Sequence, residues 1–253
     1  MRDNFQNCLA VTLAYEGGFS SDKRDPGNWT GGKVGKGTLK GTNKGISAAS
    51  YPNLDIRNLT LQQISDIYRK NYWGPVNGDG LAAGVDLATF DAGVMSGPAR
   101  AKTWLYASIG GADHETVKRI CAKRLGFVQS LKTWVTFGRG WGTRIAAIEA
   151  KGVAWALAAV SSPKQVQAEL AKEQVAADSK ASKQTAGAGT SGTATTAGGG
   201  DVLINPDHAD QIAGWVLGGL LAAGAAVTLF LIFRAIVNKR RAAAYAAEVE
   251  VLS

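Results

Sequence analysis

Residues 14–29 read "AYEGGFSSDKRDPGNW", and their interpretation decides how the N-terminal half of the chain folds. Just before them Phe5, Leu9, Thr12 and Leu13 recur at helical spacing, and Gly17 or Gly18 supplies a residue able to turn left-handed past a helix end. Glu16 is therefore expected at a helix C-terminus, where unpaired carbonyls disfavour a negative charge. A carboxylic acid that keeps its proton in such surroundings can serve as a general acid. The turn residues Asp25-Pro26-Gly27 can fold the chain back toward that helix end and bring Asp22 or Asp25 up to Glu16.

Composition narrows the chemistry. The chain has 253 residues, 45% of them hydrophobic, enough for one substantial domain with an appendage. Through residue 160 there are 20 Lys and Arg against 12 Asp and Glu, whereas the remainder is balanced at 8 against 8. The net charge of +8 thus belongs to the N-terminal part, which is attracted to polyanions. The chain has two cysteines, Cys8 and Cys121, whose pairing sequence leaves open. Of its two histidines, His208 lies just before an apolar run, so His114 alone serves the domain. Zinc-dependent hydrolysis and Ser/Cys–His catalysis both need more than this supplies, so no metal or cofactor is expected and carboxylate chemistry remains.

Along the chain, residues 1–160 read as mainly helical. "NLTLQQISDIYRKNYW", 58–73, opens with a capping box from Thr60 to Gln63 and carries Leu61, Ile64, Ile67, Tyr68 and Tyr72 on one stripe. Further helices are expected over 85–95, 98–108, 113–134 and 141–158. The interval from Asp25 to Ile46 holds seven glycines and no helical period, and reads as a β-hairpin or long loop beside Glu16. From Ser161 the composition turns to Ala, Gly, Ser, Thr, Lys and Gln, which predicts a flexible linker over 161–211 with a weak helix at 164–180. "IAGWVLGGLLAAGAAVTLFLIF", 212–233, has no charged residue. At 1.5 Å per residue it is about 33 Å long as a helix, which predicts a single transmembrane segment over 212–237 followed by a basic-then-acidic tail, 238–253. Trp215 suits one interface, and Arg234, Lys239, Arg240 and Arg241 suit the other. The basic cluster predicts a single-pass protein of the bacterial inner membrane with its domain facing the periplasm, although the N-terminus shows no long apolar signal region.

"EGGFSSDKRDPGNWT", 16–30, together with "GTNKGIS", 41–47, resembles the signature of glycoside hydrolase family 108, phage and bacterial N-acetylmuramidases of lysozyme-like helical fold. "YRKNYWGPVNGDGL", 68–81, and "DLATFDAGVMSGPARA", 86–101, resemble the next blocks of that family. "FGRGWGTRI", 137–145, resembles the Gly-Trp-x-x-Arg segment of the peptidoglycan-binding region that usually follows. The resemblance implies a catalytic region over 1–105, a helical peptidoglycan-binding region over 106–160, and cleavage of the β-1,4 bond between N-acetylmuramic acid and N-acetylglucosamine with Glu16 as acid. Two departures stand out: "GGKVGKGTLKG", 31–41, interrupts the pattern, so Thr30 and Thr42 both match the family's threonine, and Met95 stands where the family commonly has Asn.

The candidate catalytic residues are accordingly Glu16, Asp22, Asp25 and Thr42, and the candidate substrate-binding residues are Thr30, Tyr72, Trp73 and Asp91. Tyr72 and Trp73 offer rings that can stack on sugars, and Asp91 enters through its family match. Gly27, Gly32 and Lys33 mimic a phosphate loop, but Val34 stands where that motif needs Ser or Thr. The expected partners are peptidoglycan strands, the inner membrane through 212–237 and a phage holin, with no specific nucleic acid. Two rival readings are a non-catalytic wall-binding module anchored in the membrane and a holin-like protein whose terminal helix permeabilises it.

Overall fold

The computed structural model describes residues 4–194 and 206–252, with side chains described over 4–188 and 225–252. Among the described residues the chain is mainly α-helical with one small hairpin. Its helices are α1 (Phe5–Leu13), α2 (Leu61–Tyr68), α3 (Val85–Ser96), α4 (Pro98–Tyr106), α5 (Asp113–Gln129), α6 (Trp134–Ala158), α7 (Pro163–Ala194) and α8 (Pro206–Val251). Strands β1 (Thr42–Asn43) and β2 (Ile46–Ser47) pair antiparallel, Thr42 opposite Ser47 and Asn43 opposite Ile46. The chain divides into one unit formed by Met1–Lys132 with Gly152–Val160, and another formed by Thr133–Lys151 with Ser161–Ser253. The division falls inside α6, whereas the sequence reading set boundaries at 105 and 160.

The first unit is built around α3, in which every residue from Val85 to Gly93 is buried. A helix buried on every side lies in the middle of a domain, and the polar side chains it carries there, Asp86, Thr89 and Asp91, need partners. Phe90 of α3, Phe5 of α1 and Trp73 form an aromatic knot, with ring centroids 5.2 Å apart for Phe5–Trp73 and 5.5 Å for Trp73–Phe90. The α2 helix begins with the expected capping box at Thr60 and Gln63 and continues as a π turn over Arg69–Trp73. That wider turn carries Trp73 into the core, where its indole N–H donates to Asp79 at 2.8 Å. Cys8 and Cys121 are both buried and are not joined by a disulfide.

In the second unit α7 and α8 lie against one another. The helix expected at 164–180 extends through Pro163–Ala194, into the segment read as a linker; residues 195–205 lie outside the described residues. Helix α6 starts at Trp134 rather than 141, because its glycines are filled from outside: the Trp134 ring covers Gly138, and the Arg240 guanidinium lies 2.7 Å from where a Cβ of Gly142 would be.

The expected membrane-spanning helix is corrected. Among the described residues no helix is long and apolar enough to cross a membrane. The side chains of 212–224, Trp215 included, lie outside the described residues, and the rest of the run belongs to α8. That helix packs on protein: Asn238 donates to Gln184 at 2.9 Å, Arg241 and the buried Tyr245 hydroxyl both reach Glu149, and Phe233 meets Trp134 with centroids 5.2 Å apart. With the span go the expected inner-membrane partner and the single-pass location facing the periplasm, both of which rested on 212–237.

Candidate active site

Helix α1 ends at Leu13, and the next three residues turn on their own bonds, Tyr15 N–H to Thr12 and Glu16 N–H to Leu13. Glu16 therefore stands just past the last helical turn, not within it. The backbone then runs beside the hairpin: Lys44 N–H donates to Gly17 at 3.2 Å, and Ser20 and Thr42 exchange bonds of 2.8 Å in both directions. The segment after Glu16 thus runs alongside β1, joined to it by an isolated bridge at Ser20 and Thr42.

The hairpin turn carries Lys44 and Gly45 at φ 47° and 73°, as a tight two-residue turn requires. Gly45 has a second reason to be glycine. A Cβ there would stand 3.3 Å from Glu16 Oε2 and 3.1 Å from the Tyr68 hydroxyl. The Tyr68 hydroxyl donates to the Lys44 carbonyl at 2.8 Å, which ties α2 to the turn. The Tyr72 ring lies beside that of Tyr68, with centroids 5.3 Å apart. Burial pushes the Tyr72 hydroxyl above its usual range, and the nearby Tyr51 and Glu16 add to the shift, so it stays protonated at neutral pH. Asn71 donates to the Tyr51 hydroxyl at 2.5 Å. Glu16 is half-buried, and around it gather Gly45, Tyr68 and Tyr72, with Tyr51 reaching Tyr72 from beyond.

Asp22 is exposed and clasped by Arg24, whose Nη2 lies 2.8 Å from Oδ2 and whose backbone N–H donates to Oδ1 at 2.9 Å. The side-chain bond from Arg24 is the main cause that holds the Asp22 carboxyl at about 2, so it is ionised across the working range. Asp25 is the N-cap of the short 3-10 turn Pro26–Asn28 and accepts from Gly27 N–H at 2.8 Å. The same carboxylate that sequence offered for chemistry is engaged in holding the turn. Thr42 sits on β1, held by its two backbone bonds to Ser20.

Thr30 accepts from the Thr38 N–H at 2.9 Å, and Trp29 bridges to Leu39, so both ends of the 31–41 insertion are pinned. Trp73 is 1% exposed and has no face to offer a sugar. Asp91 lies in the core, paired to Arg124 at 2.7 Å with both side chains fully buried. Arg124 also donates to Met95 Sδ at 2.7 Å, the residue that departs from the family pattern. Of the eight candidates, the structure brings Glu16 and Tyr72 together. Tyr68, Tyr51, Asn71 and Gly45 join them, which sequence alone does not show: Tyr68 falls on the apolar stripe of its helix, and Tyr51 reaches the site by packing across more than twenty residues.

Residues 9–97 match the family model described as glycosyl hydrolase 108. A solved structure, that of Brucella abortus SagA, is 31% identical, with the match covering 60% of this chain and 95% of that one at a TM-score of 0.49. Over residues 9–97 the chain is similar to the glycosyl hydrolase 108 family. No match is found among curated proteins. The match begins within α1, spans the hairpin, α2 and α3, and so contains Glu16, Gly45, Tyr68 and Tyr72.

Proposed function

We propose that the chain is a peptidoglycan N-acetylmuramidase with Glu16 as its general acid, acting in bacterial cell lysis. The observation that carries the reading is the placement of the Glu16 carboxylate over Gly45, half-buried beside Tyr68 and Tyr72, inside the segment that matches a glycoside hydrolase family. A glycosidase needs a proton for the departing sugar oxygen and negative charge or oriented water on the opposite side of the ring. Glu16 gives its proton to the glycosidic oxygen as the bond to the anomeric carbon breaks. Asp22, kept ionised by Arg24, supplies charge for the oxocarbenium-like transition state, with Asp25 and Thr42 as the other candidates for that side of the sugar. Tyr72 lines the approach to the acid and offers a half-buried ring to a sugar. The basic N-terminal part favours association with an anionic wall.

The test is digestion of purified murein by the full chain, with mass spectrometry of the soluble fragments. Muropeptides ending in reducing N-acetylmuramic acid are expected. Fragments ending in reducing N-acetylglucosamine, or no fragments at all, would overturn the muramidase reading.

A further inference from the structure

A groove of about 510 Å³ opens at the other end of the strand that leads away from Glu16. Phe19, Ser21, Lys40, Asn53, Asp55 and Arg57 line it. Its position is set by the hairpin. Gly41 leaves room for the Phe19 ring just as Gly45 leaves room for Glu16: a Cβ on Gly41 would fall within 2.6 Å of that ring. Gly41 precedes β1 and Gly45 lies in the turn that follows it, so the groove and the acid stand at opposite ends of one two-residue strand, within reach of one short glycan with its branches.

The groove is built. The Arg57 guanidinium lies over the Phe19 ring, 4.2 Å from its centroid, which fixes its plane. Among the described residues no carboxylate pairs with Arg57, so its donor fork remains available. The Lys40 ammonium is held by the carbonyls of Pro52 at 2.6 Å and Leu54 at 3.5 Å and keeps a third proton to give. Asp55 accepts from the Asn58 side chain at 2.9 Å. Two cations and one carboxylate are thus set out over one polar groove, and Lys40 comes from the insertion that sets this chain apart from the shorter family pattern.

We propose that this groove binds the peptide stem branching from the glycan, with Arg57 and Lys40 taking its carboxylates and Asp55 its amino group. The match is one of charge, since wall peptides carry several carboxylates and commonly one side-chain amine. The proposal rests on the muramidase reading for its substrate and adds a site that reads the branch rather than the sugar chain.

The test uses the full chain and the free stem peptide released from murein by an amidase. Binding is followed by calorimetry for the wild type, Arg57→Gln and Arg57→Lys, with circular dichroism to verify folding. Arg57→Gln should weaken peptide binding about fivefold, the range of one exposed ion pair, and Arg57→Lys should restore part of it. The KM for intact murein should rise by a similar factor in Arg57→Gln with kcat unchanged, while kinetics on peptide-stripped glycan stay as in the wild type. Equal peptide binding by wild type and Arg57→Gln, or an equal KM change on stripped glycan, would overturn the proposal. A wild type that binds the peptide through Arg57 yet cleaves no murein would instead sink the muramidase reading and leave the groove standing.

Discussion

Gly45 lies against Glu16: the hydrogen that stands in place of a side chain at 45 leaves the carboxylate its position beside the Tyr68 hydroxyl, with only 3.3 Å between Glu16 Oε2 and the place a Cβ would take. The backbone there also has φ 73°. Gly45→Ala should therefore cost about 1 kcal/mol of stability through the backbone alone and displace the acid as well. We expect turnover to fall at least about tenfold at a temperature where the variant is fully folded, since catalytic groups tolerate little displacement. Thermal melts and murein turnover, measured together, check this; a variant that melts lower yet turns over normally would mean that Glu16 does not depend on the gap.

Tyr72 and Trp73 are adjacent in sequence and opposite in role. Trp73 is packed against Phe5 and Phe90, so Trp73→Ala should destabilise the first unit by roughly 3–5 kcal/mol. Tyr72→Ala, at a half-buried ring, should leave the urea midpoint nearly unchanged and raise KM for murein. Urea melts with steady-state kinetics separate the two, and an equal loss of stability in both variants would place Tyr72 in the core as well.

These two residues also show how much of the site sequence could reveal. The motif around Glu16 and the capping box at Thr60 are local, so "EGGFSS" and the Thr60–Gln63 pair were legible, as were the mainly helical class and the hairpin. The π turn over Arg69–Trp73 was not, because it rotates Trp73 inward by a change in backbone pitch that no periodicity of five residues reports. Asp25 and Asp22 look alike in sequence, yet one caps a turn and the other is clasped by Arg24. The apolar run 212–233 has the composition of a membrane span, whereas the structure extends α8 past it and pairs Asn238, Arg241 and Tyr245 with Gln184 and Glu149. Those partners lie more than fifty residues away, beyond any local pattern.

The Asp22–Arg24 clasp makes a definite pH prediction. With its carboxyl held at about 2, below the ordinary 3.8, Asp22 favours the folded state above the ordinary value and loses that contribution as pH falls toward 2. Asp22 should then not titrate between pH 4 and pH 8, roughly two units clear of its midpoint. Carboxyl-carbon NMR should find its midpoint near 2, rising toward the ordinary value in Arg24→Gln. A midpoint near 4 in the wild type would show that the clasp does not persist in solution.

Asp91 and Arg124 are both fully buried, so removing one partner leaves the other charge stranded in the core. Asp91→Ala should cost about 3–5 kcal/mol in urea unfolding. Any loss of hydrolysis in that variant should vanish from the rate per folded molecule. An active-site role for Asp91 would appear instead as a full melt with lost turnover.

The most direct test of the account is the rate at which the full chain releases reducing ends from murein, compared with that of Glu16→Gln, alongside co-sedimentation of each with the intact wall. We expect a loss of at least about a hundredfold in rate with wall binding retained, since glutamine preserves the shape over Gly45 but has no acidic proton to give. A Glu16→Gln variant that cleaves within a few-fold of the wild type would contradict it and move the acid elsewhere.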